Sequence, residues 1–303
     1  MFDRRGILCI MLAVVLGISA CGRTERWIQR NINKDTFGME VESTYYTVLL
    51  VVKPEHADTH IDRAKVYMKL GEYDQAIEDF TRAIELDPLN FWHYHDRGAA
   101  YLEMGRLENA VADFTTAVEV NPTFAQGYLG RGIVEKELGL YTEALSDMTK
   151  AVELNPRLGE AYYARGNLFL LLGREREAIA DYTAVLGLGG EYANAYLARA
   201  DAYLVMGRYD EAIDDYDEAA KLDPMNPLIH IGRANASLRT GDPYRAVLEC
   251  TIAVKLDPNC IEAYVARGRI YVEIGDTENA AADFAYACDH GDEEACRMLE
   301  EMR

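Results

Sequence analysis

Histidine is scarce in this chain, and its placement does not favour chemistry. His56, His60, His93, His95, His230 and His290 are the six imidazoles available to a metal or a general base. Their one local group, Phe91-Trp92-His93-Tyr94-His95-Asp96, sets two histidines two residues apart. On a helix that spacing points them to different faces, unlike an i, i+4 ligand pair, so no metal site is expected. No Cys-x-x-Cys pair, Gly-rich phosphate loop, nucleophile elbow or paired-His helix motif occurs. Redox, phosphoryl-transfer and hydrolytic enzymes thereby lose their signatures, and the expectation is a non-enzyme without cofactor. Positive charge is also short, with 31 Lys and Arg against 51 Asp and Glu for a net −20. Nucleic acid is an unsuitable partner for such a chain. Long hydrophobic runs are missing too: the stretch Ile7 to Ile18 has twelve residues, too few to span a bilayer as a helix.

What the chain has instead is repetition. A glycine recurs every 34 residues at Gly71, Gly105, Gly139, Gly173, Gly207, Gly241 and Gly275. Five residues past each lies an alanine, from Ala76 to Ala280, and twelve past it alanine again in six copies, with Val185 in the fourth. Seven before each glycine is another small residue: Ala64, Gly98, Gly132, Gly166, Ala200, Ala234 and Gly268. Small side chains at fixed spacing let two helices approach closely, and the small residue of the first helix is expected to face the first alanine of the second. A larger apolar knob follows nine past the glycine in most copies, as Phe80, Phe114, Tyr182, Tyr216 and Phe284. Proline ends the unit at Pro88, Pro122, Pro156, Pro224 and Pro258, where the missing backbone donor stops a helix; Gly190 stands there in the fourth copy.

These residues resemble the tetratricopeptide repeat family, as in the segments Tyr94 to Pro122 and Tyr196 to Pro224. The period and pattern imply an all-α, right-handed α-solenoid of about seven helix-turn-helix repeats over 57–291, divided 57–90, 91–124, 125–158, 159–192, 193–226, 227–260 and 261–291. One departure recurs in every unit. Arginine stands eight before each glycine (Arg63, Arg97, Arg131, Arg165, Arg199, Arg233, Arg267), and an acid eight after it (Asp79, Asp113, Asp147, Asp181, Asp215, Glu249, Asp283). Matched in number, they read as a ladder of structural ion pairs in preference to an arginine stripe for an anionic ligand.

The amino terminus carries a different signal. Arg4 and Arg5 precede the apolar run, and Ile18-Ser19-Ala20-Cys21 follows. This resembles the lipobox of bacterial lipoproteins, which implies removal of a signal peptide at 1–20 and lipidation of Cys21, with palmitate among the acyl chains. The protein would then be exported and anchored to a bacterial membrane without spanning it, the outer membrane facing the periplasm being favoured and surface exposure open. Residues 1–20 carry Arg4, Arg5 and Asp3, so the remainder stands at −21. Residues 21–56 are assigned as lipidated tether and N-terminal cap. Arg23, Arg26 and Arg30 fall at helical spacing beside Trp27 and Ile28, which suits either a short amphipathic helix on headgroups or a plain tether. Residues 41–52, rich in β-branched and aromatic types, would read as a strand if alone; as a cap on the first repeat they take whichever structure packing selects. Residues 292–303 read as a C-terminal capping helix, with Met298, Leu299 and Met302 covering the last face.

The remaining cysteines are Cys250, Cys260, Cys288 and Cys296 once Cys9 leaves with the signal. Cys288 and Cys296 have the spacing that resembles a bridge across the helix pairs of cysteine-rich repeat proteins, and an oxidising compartment permits it. Cys250 holds a knob position and reads as a small buried hydrophobe.

In the family the first helices of successive repeats line a concave face. The resemblance maps the inward positions onto Trp92, His95, Leu102, Leu129, Tyr163, Asn167, Leu170, Leu171, Leu197, Asp201, Leu204, Val205, Asn235 and Leu238. Apolar surface of that kind marks an interaction site, and the alternative use of some of these side chains is to fill gaps between helices. The expected partner is an envelope protein held by an extended or helical segment. Two other uses stay open: docking a solute-binding protein or ligand in transport, and display as an adhesin.

Overall fold

The computed structural model describes residues 36–190 and 192–302. The signal segment, Cys21 and the tether residues Arg23 to Arg30 lie outside the described residues. Among those described, every regular element is an α-helix, and they divide at Pro156/Arg157 into two compact units. Unit 1 holds α1 (Thr36–Val52), α2 (Ala57–Leu70), α3 (Tyr73–Leu86), α4 (Phe91–Glu103), α5 (Leu107–Val120), α6 (Ala125–Glu137) and α7 (Tyr141–Leu154). Unit 2 holds α8 (Gly159–Leu171), α9 (Glu175–Gly187), α10 (Ala193–Val205), α11 (Tyr209–Leu222), α12 (Pro227–Arg239), α13 (Pro243–Leu256), α14 (Ile261–Glu273), α15 (Thr277–Asp289) and α16 (Glu293–Glu301).

The 34-residue period has a local cause at the turn. Gly71 adopts φ 75°, and the same left-handed backbone recurs at the other six periodic glycines. That conformation aims the Gly71 N–H at the Met68 carbonyl and the next one, Glu72, at Tyr67, which closes the orphan carbonyls of α2 and reverses the chain. An L side chain there is strained by about 1–2 kcal/mol, which is why the position is glycine seven times.

Within each pair the buried knob decides the spacing. Phe80, Phe114, Met148, Tyr182, Tyr216, Cys250 and Phe284 are all essentially inaccessible. A Cβ added at Gly98 would meet the Phe114 ring, one at Gly166 the Tyr182 ring, and one at Gly268 the Phe284 ring. The small residue of the first helix thus packs against the knob and shares a core cluster with the first alanine, as Ala64 does with Ala76 and Phe80, Ala200 with Ala212 and Tyr216, and Ala234 with Ala246 and Cys250; Gly132 comes close to the carbonyl of Ala144. The ring is gripped from the next pair as well, since Gly130 lies against Phe114 and Gly232 against Tyr216. Two glycines around one ring give close packing, and lost or added methylenes are felt there.

The arginine and acid ladder is paired throughout. Arg97 donates Nε to Asp113 Oδ2 at 2.7 Å and Nη2 to Oδ1 at 2.8 Å, with the Asp113 side chain buried. Arg63, Arg131, Arg165, Arg199 and Arg267 form the same forked pair with Asp79, Asp147, Asp181, Asp215 and Asp283. Arg233 instead shares Glu249 with His230, its Nη2 at 2.7 Å, and gives Nη1 to Asp217 at 2.6 Å. Nη1 of Arg97, Arg131, Arg199 and Arg267 reaches back to a threonine on the preceding second helix, Arg97 to Thr81 at 3.0 Å and Arg199 to Thr183 at 2.9 Å. Each of these four arginines thus ties its own pair together and fastens it to the one before.

This bond explains the cap. Arg63 Nη1 donates to Thr47 on α1 at 3.1 Å, so α1 takes the place of a second helix in front of the first repeat. The segment that alone reads as a strand is helical because that packing requires it; Tyr45 and Leu50 are buried, and Thr44 and Thr47 return their hydroxyls to carbonyls four residues back. At the other end Cys288 and Cys296 form a disulfide that staples α15 to α16, and Met298, Leu299 and Met302 pack against the core of the last pair. Cys250 and Cys260 are free and buried, and burial pushes the Cys250 thiol up to about 12. No helix among the described residues is long and apolar enough to cross a membrane.

Candidate functional site

The candidate groove residues all sit on first helices, whose outer faces are left open by the pairing just described. In unit 1, α4 carries Trp92, His95 and Leu102. Trp92 is 44% exposed, with its ring edge-on to Phe124 at 4.7 Å and to His95 at 5.4 Å. His95 also stands edge-on to Phe114 and lies 3.5 Å from Asp96. Leu102 is half-buried against the Phe114 cluster. Leu129 on α6 is 7% exposed; it belongs to the core of unit 1, which corrects its assignment to an open groove.

In unit 2, Leu171 and Val205 are open, at 58% and 71% exposure, and Asn167, Asp201 and Asn235 are exposed with them. Tyr163, Leu170, Leu197, Leu204 and Leu238 are half-buried, each offering one side to solvent and the other to the core. Two of the polar residues have an inward duty. Tyr182 and Tyr216 are fully buried knobs whose hydroxyls need a partner. Tyr182 donates to Asn167 Oδ1 at 2.7 Å, and Tyr216 to Asp201 Oδ1 at 2.6 Å. Desolvation on its core-facing side holds the Asp201 carboxyl above the ordinary range although the residue is otherwise exposed, and the Tyr216 bond partly offsets this. Both repeats with a tyrosine knob place an Asn or Asp fifteen residues earlier, although the sixth, with Cys250 as its knob, has Asn235 there as well.

A cavity of about 780 Å³ opens on this face at the carboxyl end of unit 2. Leu204, Val205, Asn235 and Leu238 line it, as the sequence placed them. The last repeat contributes residues that sequence reasoning had passed over, Glu262, Val265, Arg269 and Glu273, and the cap contributes Asp292 and Glu294. Counting 13, 10, 6 and 2 residues back from Gly275, as for the other glycines, reaches the first four. Among the described residues no group of His, Cys, Asp and Glu is arranged to hold a metal ion. His93 is buried and takes a hydrogen bond from the Asn90 amide at 3.1 Å, apart from His95.

Two family models match this arrangement. The model described as TPR repeat matches residues 64–105 and 200–241, and the one described as Tetratricopeptide repeat matches 95–157, 129–195 and 231–295. The chain belongs to the tetratricopeptide repeat family. Its fold class is therefore an α-solenoid of TPR repeats, and proteins of this family serve generally as interaction scaffolds that take peptide partners on the concave face. A TPR protein from Parabacteroides merdae ATCC 43184 is similar over 81% of this chain and 98% of its own, with a TM-score of 0.62 at 24% identity. The TPR protein YrrB, described as having an unusual peptide-binding site, covers 62% of this chain and 96% of its own, with a TM-score of 0.54 at 21% identity. Both likenesses concern the TPR fold alone. A Protein SGT1 homolog from Oryza sativa subsp. japonica is 41% identical over 49 residues; the chain spans 13% of that relative's length.

Proposed function

We propose that this TPR protein is a membrane-anchored scaffold of the bacterial cell envelope that holds a segment of a partner protein against its first-helix face. The observation that carries the reading is the open apolar row of unit 2. Leu171 and Val205 stay exposed on a rigid frame while the half-buried Leu170, Leu197, Leu204 and Leu238 floor the same face. Isolated exposed apolar residues need no explanation, but a contiguous row rimmed by polar groups marks an interaction surface. The matched arginines and acids supply rigidity and leave no free cationic stripe among the described residues, so this row offers a partner shape and apolar contact. The lipobox at Ile18 to Cys21 supports export and anchoring through Cys21, and the outer membrane facing the periplasm is the favoured address. Nothing in the groove supplies a nucleophile with its base, which fits a binding role better than a catalytic one.

Two variants test the reading. Val205→Asp with Leu171→Asp is expected to abolish recovery of co-purified envelope protein while the thermal transition of the purified chain shifts little. Cys21→Ser is expected to abolish incorporation of an alkyne-tagged fatty acid and to release the chain from membranes. Unchanged partner recovery contradicts the groove, and unchanged labelling contradicts the anchor.

A further inference from the structure

The cavity at the end of unit 2 has a charge pattern that the apolar row alone does not explain. Glu262, Ala266, Arg269 and Glu273 follow one another at i, i+4, i+7 and i+11 on α14, and all four line the cavity. That spacing forms a single stripe along the helix. Its middle cation is already used, because Arg269 pairs with Glu294 of the cap at 2.7 Å. Asp292, also on the rim, spends Oδ1 on the Ala295 N–H as the cap of α16. Glu262, whose Oε2 accepts from the Cys260 thiol at 3.6 Å, and Glu273 remain exposed at the two ends of the stripe, and Arg239 is the remaining cation on the lining. Eleven residues of helix separate the two carboxylates by about 16 Å along the axis.

We infer that this cavity takes a polypeptide segment with two basic residues flanking an apolar stretch, one cation for Glu262 and one for Glu273. The assignment rests on the proposed groove reading and adds the chemistry of the partner to it. Because side chains of an extended segment alternate between its two faces, matching about 16 Å needs the two cations an even number apart, about four or six residues at about 3.3 Å each, or about three turns apart in a helical segment. The apolar residues between them meet Leu204, Val205 and Leu238, with the buried Val265 and Ile270 beneath. Acidic segments are rejected by the same two carboxylates, which makes the charge a device for selecting among partners more than a source of affinity.

The test titrates the full-length chain into labelled synthetic peptides by fluorescence anisotropy. Three peptides share a leucine-alanine core and carry lysine, glutamine or glutamate at two positions four residues apart; a fourth has the two lysines adjacent. The spaced lysine peptide is expected to bind at least tenfold tighter than the glutamate peptide and several-fold tighter than the adjacent one. Glu262→Lys with Glu273→Lys should erase that preference, while Asp210→Lys with Asp214→Lys on α11, an equal charge change away from the cavity, should keep it. A preference that survives Glu262→Lys with Glu273→Lys comes from the net charge of the whole chain and overturns the inference. Equal binding of all four peptides, weakened in each case by Val205→Asp, overturns the cationic assignment and leaves the groove reading standing. Binding that Val205→Asp does not change, or no binding at all, overturns both.

Discussion

Tyr216 and Asp201 show how a residue can belong to the core and to the site together. The buried hydroxyl must be satisfied, so the groove position above it is an acceptor. Removing the hydroxyl with Tyr216→Phe is expected to cost about 1 kcal/mol in chemical denaturation and to push the Asp201 carboxyl still further above its ordinary range, read by carboxyl NMR titration. Glu135 gives a second residue-scale prediction. Its position carries an aromatic ring in five repeats, and in four of them the arginine lies over that ring, as Arg63 does over Tyr67 at 5.7 Å and Arg97 over Tyr101 at 5.9 Å. In the third repeat the ring is replaced by a carboxylate that burial, with Asp147 nearby, pushes up to about 7. Because the folded state keeps a proton that the unfolded chain releases near 4.5, this group makes stability fall as pH rises from about 4.5 through 7. Glu135→Gln should therefore raise the Tm at pH 8 and leave it nearly unchanged at pH 4.5, as followed by far-UV circular dichroism. An equal effect at both pH values would contradict the account.

Helices and their fastenings carry the next set of consequences. Arg97→Ala leaves the buried Asp113 carboxylate without its partner, and such a break costs about 3–5 kcal/mol. Arg97→Met combined with Asp113→Leu removes both charges and should recover most of that loss; a double variant as unstable as the single one would contradict the pairing. The disulfide between Cys288 and Cys296 closes a short loop, and its loss removes roughly 2–3 kcal/mol of constraint on the last pair. Since α16 presents Asp292 and Glu294 to the cavity, mild reduction should loosen protection of α16 in hydrogen exchange before it affects α8 to α11. At this scale the sequence was an uneven guide. The periodic glycines, alanines and knobs specified each helix pair, because a turn with positive φ and a buried ring each tolerate few residue types. The segment 41–52 was ambiguous, since its β-branched and aromatic residues favour a strand locally and its packing on the first repeat, with Tyr45 and Leu50 buried and Thr47 bonded to Arg63, selects the helix. Spacing also placed the small residue before each turn beside the first alanine, while the knob that packs on it as well follows from side-chain size.

For the molecule as a whole, repetition fixes the frame and the exceptions to it mark the site. Where all seven copies agree, as for the arginine and acid pairs, the residues hold the repeats together. Where copies differ on the first-helix face, the surface acquires character: aromatic around Trp92 in unit 1, and apolar with paired acids around Val205 in unit 2. Most of the second surface was legible from position counting. Leu129 was not, because burial at that position depends on neighbouring helices, and the last repeat was missed because its inward residues are charged as well as apolar. The account's central claim is that the Val205 face meets a protein partner. The most direct measurement places a photo-crosslinking amino acid at Val205, and at Asp210 on α11 as control, in full-length protein made in its own cells, with adducts identified by mass spectrometry. One dominant protein captured at Val205 and absent at Asp210 is the predicted result; the same scatter of adducts at both positions would contradict it.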